Sequence, residues 1–182
     1  QQVWVQIASS SRAFGMACRD LIGDRDEARA FVSRHLAWLA TLRHAMRERK
    51  PWEASEKPYN VEYRAHYSVP EREQSLAEEL ARYLPAEDAA SVLESRNKAF
   101  QALALQGGRA RWLLDAGAIT PAAFAEIQRA MREFQEQQCR TERIKEFPYP
   151  RQHAFIHTLF VRILCVLLPF GMIREFARLG RA

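Results

Sequence analysis

The 182 residues carry 48% hydrophobic and 27% charged side chains, which excludes a disordered chain and suits either one domain core or a few long helices. Lys and Arg (27) outnumber Asp and Glu (22) for a net charge of +5, a surplus compatible with anionic lipid or nucleic acid but too small to argue for either. Cys18, Cys139 and Cys165 lie far apart with no CxxC pair, which excludes a disulfide framework and a cysteine-based zinc site and fits a reducing compartment or burial in a membrane.

Residues 1–22 place Val3, Ile7, Phe14 and Cys18 near helical spacing, and Gly23-Asp24 breaks the pattern. The first residue is Gln, this helix runs from the start, and no signal peptide precedes it. The chain therefore reads as a segment that begins inside a longer protein. Asp24 is a good N-cap for a second helix from Arg25 to about Arg49, with Phe31, Val32, His35, Leu36, Trp38, Leu39, Leu42 and Met46 forming an apolar stripe. Residues 50–70 hold Pro51, Pro58 and Pro70 among charges and tyrosines and read as a surface loop.

A short helix is expected over Glu71–Tyr83. Another covers 86–106, with Pro85 at its first position and Gly107-Gly108 ending it. Trp112–Ala118 reads as a short apolar piece. Thr120-Pro121 then starts a strong helix, with Phe124, Ile127, Met131 and Phe134 on one face, expected to run to about Ile144. Pro148 and Pro150 stop it, because neither has an amide to donate.

Ala154–Ile173 has about the 20 residues that a helix needs to cross ~30 Å of hydrocarbon. It carries His157 and Arg162, is uncharged from Ile163 to Ile173, and is flanked by Arg174 and Arg178. A central charge costs roughly 2.5–3.5 kcal/mol on insertion scales, so Arg162 should face protein or water. The buried core helix of a soluble protein would read the same way, and the segment alone leaves both readings open. No strand alternation or repeat is evident, so the fold class is all-α.

His153 and His157 share a helical face and could hold a metal. No Glu stands at 154 and no third ligand is near, so hydrogen-bonded or pore-facing histidines are the stronger reading. Glu142-Arg143 reads as a solvated acid–base neighbour pair. No phosphate loop, nucleophile elbow or kinase set occurs, so neither an enzyme nor a cofactor has positive support. The segment Glu146-Phe147-Pro148-Tyr149-Pro150 forces an extended connector between two helices. It suits a packed corner, or a constriction if several copies surround an axis.

The run Thr141-Glu142-Arg143-Ile144-Lys145-Glu146-Phe147-Pro148-Tyr149-Pro150-Arg151-Gln152-His153-Ala154 resembles the bestrophin signature in its bacterial form. Leu168-Pro169-Phe170-Gly171 is similar to the family's Leu-Pro-Phe within the following membrane helix. Trp4, Ser10-Ser11-Arg12, Arg34–Leu39, Leu42-Arg43, Pro51-Trp52-Glu53, Asn97-Lys98-Ala99 and Gln106 continue the likeness in family order. Thr141 departs from the usual Cys, with Cys139 the nearest thiol, and Phe147 stands where many members have Thr.

The resemblance implies a bestrophin-like channel protomer fragment. It would have long cytosolic helices over 1–147, a connector over 148–153 and a transmembrane helix over 154–173. It also implies a homopentamer in the cell membrane, the inner membrane of a bacterium, conducting ions and chloride foremost, although some bacterial members of the family prefer cations; no nucleic-acid partner is expected. Tyr149 is the first choice for a cytosolic aperture ring and Phe147 the second, with Pro148 and Pro150 fixing their backbone. Glu142, Arg143, Ile144, Pro169 and Phe170 are the structural residues of the motif. The neck helix and the last transmembrane helix lie outside this chain, so the chain alone is not expected to conduct. The alternative function is a soluble all-helical interaction or scaffold protein.

Overall fold

The structure, a computed structural model, describes residues 2–50, 66, 68–147 and 151–179, with side chains described except at 151–154 and 175–179. All regular structure among these residues is helical, in eight segments. They are α1 (Gln2–Leu21), α2 (Arg25–Arg47), α3 (Pro70–Glu73), α4 (Leu76–Leu80), α5 (Ala86–Glu94), α6 (Lys98–Asp115), α7 (Pro121–Glu146) and α8 (Arg151–Leu179). The chain divides into two compact units, Gln1–Glu146 and Phe147–Ala182.

Caps set the helix boundaries. The Asp24 carboxylate accepts from the amides of Asp26 (2.8 Å) and Glu27 (3.4 Å), starting α2 as its sequence predicts. Thr120 Oγ1 accepts from the Ala123 amide (3.1 Å) and Pro121 opens α7. Two other caps divide elements that periodicity runs together. Ser75 accepts from the Ala77 amide (3.2 Å), so 71–83 is two short helices, α3 and α4, not one. Asn97 accepts from the Phe100 amide (3.0 Å), so 86–106 contains the end of α5 and the start of α6. Pro85 is the N-cap of α5 and not its first residue.

Gly107-Gly108 does not end a helix. Helix α6 runs through it to Asp115, and Trp112–Asp115 form its last turn. The stop comes at Gly117, whose φ of 69° is the left-handed conformation that a side chain disfavours. The Ala118 amide then reaches back to the Leu113 carbonyl (2.9 Å), satisfying one of the open carbonyls of the helix end. At Gly107 a Cβ would lie 3.2 Å from Met131 Cε on α7, a tight contact that the methionine must yield to accept, whereas nothing lies within 4 Å at Gly108. Gly108→Ala should therefore raise stability by about 0.5–1 kcal/mol through helix propensity alone. Gly107→Val should lower it by about 1–3 kcal/mol through overpacking. Thermal unfolding of the two variants checks both signs.

In the first unit, α2 packs on α6, α6 on α7, α7 on α1 and α1 on α2, so four long helices close a bundle. Its centre is aromatic: Phe14, Phe31, Trp38 and Phe134 are fully buried. Phe134 meets Phe14 edge-on (5.4 Å between centroids) and Trp38 at 5.1 Å, and the His35 ring lies 4.5 Å from Phe134. The short helices are tied to α2 by ions. Arg34 reaches Asp88 (3.1 Å), and Arg43 reaches Glu71 (2.9 Å) and Glu79 (2.7 Å). His44 also contacts Glu79 (2.9 Å), whose side chain is largely buried. Residues 51–65 and 67, which hold most of the expected proline-rich loop, lie outside the described residues.

The second unit contains α8, which begins at Arg151, earlier than the expected Ala154, and continues past Ile173 to Leu179. It passes through Pro169 without ending. Proline has no amide, so the Cys165 carbonyl lacks its usual helical donor at that turn.

Candidate functional site

The signature residues fall at the end of α7 and on α8, and each unit is described in turn. At the end of α7, Trp38 Nε1 donates to Gln138 Oε1 (2.9 Å) and Gln138 Nε2 donates to Glu142 Oε1 (2.8 Å). Gln138 Nε2 also reaches Asn97 Oδ1 (3.2 Å), and Asn97 Nδ2 donates to the same Glu142 oxygen (3.2 Å). The Asn97 oxygen is also the cap of α6. One connected set of polar groups therefore fastens α2, the start of α6 and the last turns of α7. Such a set is favourable because each buried donor finds an acceptor.

Glu142 is thus a hydrogen-bond acceptor in a three-helix junction and not half of a solvated pair with Arg143. Arg143 and Ile144 are exposed, Ile144 at 69%. The resemblance quoted Trp38, Asn97 and Glu142 separately, and the structure brings them together. Gln138, the residue that joins them, was missed. Its signal was available: the stripe Phe124, Ile127, Met131, Phe134 continues at helical spacing onto Gln137, Gln138 and Thr141, all buried. Polar residues on the buried face of a helix need partners.

A second polar seam joins α1, α2 and α7. Ser11 Oγ donates to the Ile7 carbonyl (2.7 Å), so its hydroxyl proton is committed, and the His35 Nε2–H donates to Ser11 Oγ (2.9 Å). Gln137 Nε2 donates to Ser10 Oγ (3.2 Å) and Glu133 Oε1 (2.9 Å). Burial pushes the His35 imidazole down to about 4, so it is neutral at physiological pH.

Phe147 follows α7 and is 69% exposed. Pro148, Tyr149 and Pro150, the rest of the expected aperture, lie outside the described residues, as does the side chain of His153. No group of three or more metal-ligating side chains occurs among the described residues.

Within α8, Phe155–Arg174 has a mean hydropathy of 2.0 and none of it is buried within the chain. Thirteen large apolar side chains between Phe155 and Ile173 are exposed, with Phe170 at 67% among them. They cover every face of the helix. Leaving them in water forfeits about 1.5–3 kcal/mol each. A helix apolar all round belongs in a protein core or a bilayer. Length and composition suffice for one membrane crossing.

Among the described residues the fold is all-helical with one candidate membrane helix, and comparison with known proteins makes the class specific. Residues 1–179 match the family described as Bacterial/Fungal Bestrophin protein, and the chain belongs to that family. Among solved structures, a bacterial bestrophin homologue from Klebsiella pneumoniae is similar at 20% identity and a TM-score of 0.73, over 96% of this chain and 56% of that one. A point variant of the Klebsiella pneumoniae homologue gives a TM-score of 0.75 over the same shares and at the same identity. A structure described only as a membrane protein variant gives 0.76, also at 20% identity, 96% and 56%. At that identity the likeness concerns the fold. The chain spans just over half the length of these solved chains. No curated protein matches it.

Proposed function

We propose that this chain is part of the subunit of a homopentameric ion channel in the cell membrane, with α8 crossing the bilayer and the first unit in the cytosol. The observation that carries the reading is the twenty-residue span Phe155–Arg174 of α8, long and apolar enough to cross a membrane. Family membership supports it.

Anions, chloride foremost, are the proposed permeant species. Between Phe155 and Ile173 the only Asp, Glu, Lys or Arg is Arg162. A cation at that depth belongs on a water- or protein-facing side, and on a side that faces the water-filled path it favours anions over cations. The proposed aperture is the ring of Tyr149, with Phe147 next to it. Pro148 and Pro150 restrict the backbone so that the ring has a defined radius. A narrow aromatic ring gates by dewetting and sieves ions by size.

Two measurements on the full-length protein test this. It should stay with membranes through an alkaline carbonate wash, and release into the supernatant would contradict a crossing by α8. Tyr149→Ala should change single-channel conductance or relative permeability severalfold. Currents and selectivity identical to wild type would remove Tyr149 from the aperture.

A further inference from the structure

A cleft of about 850 Å³ opens in the first unit, bordered by the last turn of α2, by α3, by the start of α6 and by the last turn of α7. Its size suits a small molecule. Its walls are unevenly charged. Arg47, Arg49, Arg72, Arg96 and Lys98 line it, and none of them is in an ion pair among the described residues. Lys98 is half-buried without an acidic partner among the described residues, an unfavourable position for an ammonium unless an anion joins it.

The acids of the same cleft are mostly engaged. Glu71 is bound by Arg43 (2.9 Å), and Glu142 accepts from Gln138 and Asn97 (2.8 and 3.2 Å). Glu48 lies 3.8 Å from Lys50, which leaves Glu146 as an exposed acid at the rim with no ion pair among the described residues. Helices α2 and α7 both end here, and each C-terminus contributes about half a negative charge. Helix α6 starts here and offsets one of them. Five full positive charges exceed what remains, so the cleft is electropositive.

We propose that this cleft binds a multiply charged phosphate-bearing anion. Four of the five cations are arginines, whose planar forks match phosphate oxygens two at a time, and no monovalent ion would engage five charges spread over such a volume. The phosphate could belong to a soluble phosphate ester or to an anionic lipid headgroup. A ligand there touches Lys98 beside the Asn97 cap and the last turn of α7, which leads in sequence to the connector. This inference does not depend on whether the protein conducts.

The test is calorimetric titration of inorganic pyrophosphate into the full-length protein in neutral detergent at low ionic strength. Saturable binding is expected, weakened about tenfold or more by Arg96→Ala/Lys98→Ala, with the circular dichroism spectrum retained. Arg111→Ala, which removes a cation paired with Asp115 elsewhere on α6, should leave the affinity unchanged. Displacement of pyrophosphate by added phosphatidate would identify the headgroup as the source, and no displacement a soluble ester. Absence of saturable binding would overturn the proposal, as would equal affinity in the double variant or an equal loss in Arg111→Ala.

Discussion

Trp38→Ala is expected to remove about 4–5 kcal/mol of stability, more than other single truncations in the bundle. Trp38 is fully buried and stacks near His35 and Phe134, so truncation leaves a large cavity, a change that costs about 3–5 kcal/mol in other cores. The same change removes the donor to Gln138 Oε1 and leaves a buried acceptor without its partner, worth about 1–3 kcal/mol. Trp38→Phe separates the two contributions. It keeps most of the ring volume and loses the hydrogen bond, so it should cost about 1–3 kcal/mol. The total is a large fraction of a domain's ~5–15 kcal/mol. Chemical denaturation followed by circular dichroism measures both. Equal losses for the two variants would mean that the hydrogen-bonded junction, and not packing, dominates at this position.

Acid should destabilise the first unit through His35. In the unfolded chain its imidazole titrates near 6.5, and in the fold burial pushes it down to about 4. The unfolded chain therefore takes up the proton first as pH falls. Stability from this group is complete above 6.5, is lost progressively between 6.5 and 4, and falls no further below that. The gap corresponds to about 3 kcal/mol. The geometry agrees with the direction. Nε2 already donates to Ser11, and the bare Nδ1 is buried without a partner beside Phe14, Trp38 and Phe134. A proton on Nδ1 would be an unsatisfied buried donor carrying charge. His35→Leu should flatten the pH dependence of the unfolding midpoint between 6.5 and 5. A variant as acid-sensitive as wild type in that window would assign the loss to other groups.

The first two helices, α7 and α8 were legible in the sequence because each carries its own signal. Asp24 and Thr120-Pro121 are caps ahead of periodic stripes, and α8 is apolar throughout. The internal divisions were not, because Ser75 and Asn97 sit inside windows whose periodicity continues across them. Gly107-Gly108 misled for the opposite reason. Two glycines weaken a helix by about 1 kcal/mol each, but the close approach of Met131 and the burial of Ala102, Leu103, Gln106 and Ala110 offset that.

The junction was legible only as separate family residues. Trp38 and Gln138 are a hundred positions apart, and only the bundle brings them to 2.9 Å. The family itself was readable from the signature run, since Glu-Arg-Ile followed by Pro-x-Pro and Leu-Pro-Phe is a rare collinear set.

Under the proposed function, this chain is part of a channel subunit. That proposal is tested most directly by reconstituting the full-length protein in liposomes and measuring reversal potentials in asymmetric sodium chloride. The account predicts a current whose reversal follows the chloride gradient and moves toward zero in Arg162→Gln. A reversal that follows sodium would contradict the proposed anion preference. No current from protein shown to be inserted and pentameric would contradict the channel itself.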